Sequence, residues 1–495
     1  MFKKIASNTI FQVFSKIITA IIALFFIKIL SNYLPKELYG LYGSIYDYTG
    51  IFVFLADLGL YAVTIKEISQ NREKQADIVG NVMSLRLILG VGICFVSLGI
   101  AWLIDGYNST LALLAIAISS VFTLVQLMNS SILALLQANM KMEIPAFTFI
   151  FGKIVNILLV SGLAYYIFPL SYAKEYGFEA PFLWIFGVAT IGVIVTTFLN
   201  YLYARKIVKF GFAFDWDYIR YIFKTALPYG IALFLSVLYF KIDIVLLPIL
   251  EGEKMGTMSV AYYKPPMKIT EVIMVLAGFY MSSVLPSLSE FYKNKKMQDF
   301  KKMISVSFQI LFGFVMLVFI MGILFRTHII KIMTNESFLH NPLGYNSADA
   351  FLIVFCVILF YFISVVFIYT LMASENQKSL LKINIAVTLV NVIGNLILIP
   401  KYSFMGAGVV TICSQVLLFI CTFYTARKKL GITLPYPAIA RNIVFGIALF
   451  GFGYFLLENY ARSLYFDFFV YGFLIGILYL GYIFFEYKYF RKQGV

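Results

Sequence analysis

The sequence predicts an all-α polytopic membrane protein, and three observations carry that prediction. Of 495 residues, 61% are hydrophobic and only 13% charged, with a mean hydropathy of +0.90, far from the balance of water-soluble domains. Apolar runs long enough to cross a bilayer, about 20 residues each, recur about fourteen times. The connections between them are short, and no Pro-rich or Ser-rich linker and no soluble domain interrupts the series.

The runs fall at about 7–31, 38–60, 78–104, 110–136, 144–168, 181–204 and 222–250, then at about 259–285, 303–327, 348–373, 379–400, 404–425, 438–457 and 464–486. The first follows Met-Phe-Lys-Lys and superficially resembles a secretory leader. Lys16 interrupts it, it is too long for a leader, and no small-x-small cleavage site follows, so it reads as a retained span. In the seventh, Pro228 and Gly230 near the start bend or break the helix. Pro265 and Pro266 stand near the start of the eighth. The connection over about 326–347 holds both histidines, His328 and His340, and the basic connection over about 205–221 joins the sixth and seventh runs.

Charge orients the series. Of the 39 Lys and Arg residues, about 25 fall in or beside one set of connections and the termini, about 8 in or beside the other set, and 6 deeper inside apolar runs. Short cytoplasmic loops are rich in Lys and Arg, so the termini are expected inside, in a plasma or inner membrane. This topology accounts for the net charge of +15, and nucleic acid is not an expected partner.

A weak internal echo pairs Gly40 and Tyr46 with Gly256 and Tyr262 at one offset, and Ala204-Arg205-Lys206 with Ala426-Arg427-Lys428. It divides the chain into two six-helix halves, 1–210 and 211–430, and a final pair, 431–495. Each half has an even number of spans, so both enter the membrane in the same sense, a plan that places a substrate site at the repeat interface.

Six cations are singled out as intramembrane, away from the connections: Lys16, Lys28, Arg86, Lys153, Lys241 and Lys268. Each costs roughly 2.5–3.5 kcal/mol near the centre of a span. Lys28 snorkels from the end of its run, and Arg86 and Lys153 reach an interface if their helices tilt. Lys241 and Asp243, two residues apart, point about 200° from each other on a helix, so at least one needs a partner elsewhere. Lys264, Lys268 and Glu271 share one face at i, i+4 and i+7, and a Lys268–Glu271 pair is the plain reading. Four acids, Asp47, Asp57, Asp243 and Glu271, are outnumbered, so the interior favours an anion. Asp57, Asp243 and Glu271 are candidates to couple transport to an ion, although Asp57 is placed to cap its helix.

Enzymatic and metal signatures are missing. The four cysteines all sit in apolar runs without CxxC or Cys/His spacing, and neither a phosphate-cradling Gly loop with its Lys nor an HExxH nor a nucleophile elbow occurs. Asp215-Trp216-Asp217 lies in a short connection and reads as coincidence. No catalytic residue, metal or cofactor is expected beyond a coupling H⁺ or Na⁺.

Two stretches, Leu30 through Gly40 followed by Leu55-Ala56-Asp57-Leu58-Gly59-Leu60, resemble the first hairpin of polysaccharide flippases. These belong to the multidrug/oligosaccharidyl-lipid/polysaccharide (MOP) exporter superfamily. The resemblance continues through Leu227-Pro228, Lys241-Ile242-Asp243, Ala261-Tyr262-Tyr263, Lys268 and Leu285-Pro286. It extends to Asn391, Asn395, Pro400 and Gly406-Ala407-Gly408, so that it covers the first twelve helices. It implies two six-helix lobes in a V around a cavity that alternates between faces. The implied substrate is an isoprenoid-pyrophosphate-linked oligosaccharide, moved from the inner to the outer leaflet for surface polysaccharide assembly. It also implies a cationic cavity, which Lys16, Arg86, Lys153, Lys241 and Lys268 would supply. In the related lipid II flippases the extra pair of helices forms a groove for the lipid tail.

The expected function is therefore flipping of a lipid-linked oligosaccharide by a protein that is not an enzyme. Membrane lipids and other glycan-assembly membrane proteins are its expected partners. Tyr46, Tyr262, Asn156, Asn391 and Asn395 are the candidate sugar contacts. A cation-coupled multidrug exporter is the competing transporter reading, and an excess of cavity cations suits it poorly. A membrane-embedded glycan polymerase or ligase is the competing enzyme reading, with Arg326, His328 and His340 as its best residues.

Overall fold

The computed structural model describes residues 2–341 and 344–492, and every regular element in them is helical. The first eight helices are α1 (Phe2–Tyr33), α2 (Lys36–Asp57), α3 (Leu60–Gln70), α4 (Gln75–Leu103), α5 (Thr110–Ala138), α6 (Glu143–Gly162), α7 (Leu170–Tyr176) and α8 (Glu179–Ala204). There follow α9 (Trp216–Glu251), α10 (Glu253–Lys293), α11 (Met297–Leu324), α12 (Arg326–Met333), α13 (Ser347–Ala373) and α14 (Gln377–Leu430). The chain ends with α15 (Tyr436–Tyr460), α16 (Leu464–Phe466) and α17 (Gly472–Lys492). Helices dominate because hydrocarbon offers backbone amides no partner, and a helix pairs them within one segment.

Among the described residues, eleven helical stretches are long and apolar enough to cross a membrane. A shorter apolar stretch, Ile18–Tyr33, lies on α1, α9 is 36 residues long, and a break at Ser403 (φ 53°, ψ −144°) splits the 54-residue α14 into two of spanning length. Helical segments fall on each of the fourteen apolar runs expected from hydropathy. One boundary differs. The second apolar run ends not in a loop but at Leu58 (φ 38°) and Gly59 (φ 77°), which turn α2 directly into α3.

The chain forms two compact units, Met1–Lys264 with Val392–Ala407, and Pro265–Asn391 with Gly408–Val495. In the first unit α5 packs on α4 and α8, α6 on α1 and α8, and α2 on α9. Small residues let these helices approach. A Cβ on Gly152 of α6 would fall 1.9 Å from the Thr196 hydroxyl of α8. A buried polar chain pins the same helices: Thr148 Oγ1 donates to Asn200 Oδ1 at 2.6 Å, and Asn200 Nδ2 to Asn129 Oδ1 at 2.9 Å. In the second unit α11 packs on α13, α15 and α17 around an apolar core that includes Phe325, Leu449, Ile475 and Tyr479.

Candidate functional site

The site is built where α2, α9 and α10 meet in the first unit. Gly40 makes the approach possible, because a Cβ there would lie 1.7 Å from the Thr257 carbonyl oxygen of α10. Two turns further along α2, Asp47 is 1% exposed. Its Oδ1 accepts from Lys241 Nζ of α9 and its Oδ2 from Lys264 Nζ of α10. The two ammonium groups also stand 5.8 and 5.7 Å from the centroid of the Tyr46 ring, close enough for cation–π attraction.

The charge count is uneven. Among the described residues of the cluster one buried carboxylate is shared by two lysines, whose side chains are 19% and 12% exposed, a count of one surplus positive charge. A charge in such surroundings is costly until it is paired. Lys241 also lines a cavity of about 120 Å³ with Tyr42, Tyr46, Gln126 and Phe186. The cavity wall therefore offers one cation, two phenols, an amide and aromatic faces, a combination suited to an anionic, hydroxylated group.

Arg86 and Asp57 form a second, closed pair. The Arg86 side chain is fully buried, and its Nη2 donates to Asp57 Oδ1 while Nη1 donates to Ser131 Oγ at 2.8 Å. Arg86 Nε has no hydrogen-bond partner among the described residues. Asp57 ends α2, so this pair ties the α2–α3 turn to α4 and α5. Gly230 of α9 packs flat on the turn: a Cβ there would meet the Leu58 carbonyl at 2.3 Å. In this arrangement the Arg86 guanidinium is bonded to Asp57 and Ser131.

The remaining sequence candidates are dispersed. Asp243 is buried and accepts from Tyr263 Oη at 2.9 Å and from the Ile244 amide at 2.8 Å, so Lys241 and Asp243 do take separate partners. Tyr262 is 1% exposed, its hydroxyl accepts from Lys36 Nζ at 2.8 Å, and its ring lies against Phe404. Tyr46 alone of the echoed tyrosines opens onto the cavity. Lys153 is exposed on α6 and pairs with no carboxylate among the described residues. Lys16 lies on α1 with its side chain outside the described part. Asn156 packs against Gly192 of α8, and Asn395 is buried within the first unit. In the second unit Lys268 bonds Glu271 at 2.9 Å, and Asn391 Nδ2 donates to Ser414 Oγ at 3.1 Å.

Lys264 is the residue that sequence reasoning missed. It lies inside the eighth apolar run and is an integral part of α10, but is not among the six cations singled out as intramembrane. Two signals pointed to it: its place on the Lys268–Glu271 face, and the absence of any cation near Asp47 along α2. Among the described residues no group of three or more His, Cys, Asp or Glu side chains could hold a metal ion.

The sequence matches the family described as "Polysaccharide biosynthesis protein" over residues 5–292 and the MatE family over residues 228–397. No curated protein matches it. Among solved structures it resembles the lipid II flippase MurJ in an inward closed conformation, at 17% identity and a TM-score of 0.75, with 99% of this chain and 100% of that one covered. An inward-facing multidrug resistance MATE family transporter of the MOP superfamily gives 16% identity and a TM-score of 0.64, covering 86% of this chain and 94% of the other. A MOP superfamily transporter from Pyrococcus furiosus gives 15% identity and 0.60, covering 86% and 95%. At these identities the likeness to solved structures is one of fold. The match over residues 5–292 spans more than half of the sequence, and the chain belongs to the polysaccharide biosynthesis protein family, built on the fold of MOP superfamily transporters.

Proposed function

We propose that the protein flips an isoprenoid-pyrophosphate-linked oligosaccharide across the membrane by alternating access. The observation that carries this reading is the sharing of Asp47 by Lys241 and Lys264. A pyrophosphate entering beside Tyr46 competes with Asp47 for the two ammonium groups and satisfies the surplus positive charge. Sugar hydroxyls then meet the Tyr46 and Gln126 side of the cavity, and the isoprenoid stays in lipid. The charge asymmetry of the connections, with both termini inside, sets loading at the cytoplasmic leaflet. A multidrug exporter of organic cations is disfavoured by the sign of the cluster, although the MatE match keeps it within the superfamily's range.

The test is a leaflet assay. Purified protein is reconstituted in vesicles with fluorescent isoprenoid-pyrophosphate oligosaccharide, and movement is read as accessibility to an external enzyme. Wild type moves the lipid without changing its mass. Lys241→Gln with Lys264→Gln abolishes movement while the protein stays in the membrane. Full movement by that double variant would remove the lysine pair from the mechanism, and a product of altered mass would favour a polymerase or ligase.

A further inference from the structure

A row of aromatic rings in the first unit is used by none of the steps above. Helix α6 closes in a π-helical turn over Leu163–Ile167, and Pro169 then starts the short α7. Phe168, Tyr172 and Tyr176 stand at i, i+4 and i+8, the spacing of one helical face. Their rings follow one another, with centroids 5.4 Å apart from Phe168 to Tyr172 and 4.8 Å apart from Tyr172 to Tyr176. Tyr172 is 39% exposed and Tyr176 69%. The row is firmly held: Tyr33 Oη, at the end of α1, donates to the Phe168 carbonyl at 2.7 Å, and Ala173 of α7 is buried.

Two observations set these rings apart from an ordinary interfacial belt. Ser171, Lys174, Glu175 and Glu179 are exposed beside them, and so many charges in so short a stretch keep it out of hydrocarbon. The row also leads back to the cavity. Tyr33 sets its ring 6.1 Å from that of Phe178 at the head of α8. Phe182 and Phe186 follow at four-residue steps, 5.3 Å from each other, and Phe186 lines the cavity beside Lys241. The helical rise from Phe178 to Phe186 is about 12 Å, so the row begins at that distance from the cavity wall. On the topology that the basic connections predict, Lys174 and α7 lie outside.

We infer that Phe168, Tyr172 and Tyr176 form an external platform for the pyranose rings of the transported glycan, distinct from the cavity. The inference deepens the flippase reading and rests on it. A pyranose ring packs its C–H face on an aromatic face, while its rim hydroxyls bond polar neighbours. Ring spacings of 5.4 and 4.8 Å are close to the spacing of successive sugars in a chain. Ser171, Lys174 and Glu175 supply donors and acceptors at the edge of the row. A rigid platform of tyrosines loses little entropy when it is covered. With the pyrophosphate at Lys241, the first sugar stays at the cavity and only a longer chain spans the distance to α7. The platform therefore favours long glycans and contributes nothing to a lipid that carries one sugar.

The experiment uses the full-length protein in the vesicle assay above, with two labelled lipids. One is the lipid-linked glycan extracted from the source cells, and the other is the same lipid trimmed to its first sugar. Wild type should move both. Tyr172→Ala with Tyr176→Ala should raise the half-saturating concentration of the long lipid about tenfold, as expected for two lost ring stacks, and leave the trimmed lipid unaffected. Tyr172→Phe with Tyr176→Phe keeps the rings and should restore most of the affinity. Should the Ala pair fail to fold, Tyr176→Ala alone, at the more exposed position, should show a smaller loss confined to the long lipid. Equal handling of the long lipid by wild type and the Ala variants overturns the inference. An equal loss for both lipids also overturns it and makes the rings a bilayer anchor. Movement of neither lipid by wild type defeats the flippase reading itself, and the platform falls with it.

Discussion

At the scale of single residues, Asp47 is the side chain on which most depends. It is buried and neutralises one of the two ammonium groups beside it. Asp47→Asn leaves Lys241 and Lys264 facing each other without a carboxylate. Breaking a buried pair from one side costs about 3 kcal/mol or more, and the partial exposure of the lysines places this case at the lower end. Thermal unfolding of the purified variant should show that loss, and adding Lys264→Gln should restore part of it. An unchanged midpoint in Asp47→Asn would mean that water already solvates the lysines. Arg86→Lys should also destabilise, because an ammonium cannot reach Asp57 and Ser131 together as the guanidinium does. The surplus of intramembrane cations was legible in the sequence because hydrocarbon makes each one expensive. Their partners were not, since the carboxylate that meets Lys241 lies 194 positions away on another helix.

At the scale of elements, backbone contact between helices decides what can be changed. Gly40 and Gly92 are both glycines in spanning helices, yet a Cβ on Gly40 strikes Thr257 at 1.7 Å and one on Gly92 meets nothing within 4 Å. Gly40→Ala should therefore push α2 from α10, displace Asp47 from its lysines and lose both flipping and thermal stability. Gly92→Ala should be neutral or stabilising by up to about 1 kcal/mol, through helix propensity alone. Comparing the two variants by flipping rate and unfolding midpoint checks the contact. Helix α12 offers a pH-dependent case outside the spans. Burial holds the His328 imidazole below its ordinary range, against the opposing pull of Asp467 at 3.9 Å. A depressed histidine favours the folded state while neutral, so its contribution is present above pH 6.5 and is lost as pH falls. His328→Gln should flatten the fall in unfolding midpoint between neutral and mildly acid pH. The helices themselves were legible because each needs a continuous apolar run. The α2–α3 turn was not, because Leu58 gives no sign in composition that it will adopt a left-handed backbone.

At the scale of the whole molecule, the even number of spanning segments and the asymmetry of the basic connections make one joint prediction. If all fourteen runs cross, both termini share a side, and the excess of Lys and Arg, about 25 against 8, predicts that this side is inside. Hydropathy carries the count, since it depends only on local composition. The closing contacts among α2, α9 and α10 depend on which helices become neighbours, and no local pattern records that. Direction of transport rests on the orientation, because the same fold inserted upside down would load its substrate from the opposite leaflet. In a background with the four native cysteines replaced, Lys174→Cys and Lys209→Cys report on opposite sides. A membrane-impermeant maleimide applied to intact cells should label position 174 and spare position 209 until the membrane is opened. Labelling of position 209 in intact cells would invert the topology. The proposed cytoplasmic loading would then fail, while the Asp47 cluster and its positive surplus would keep their geometry.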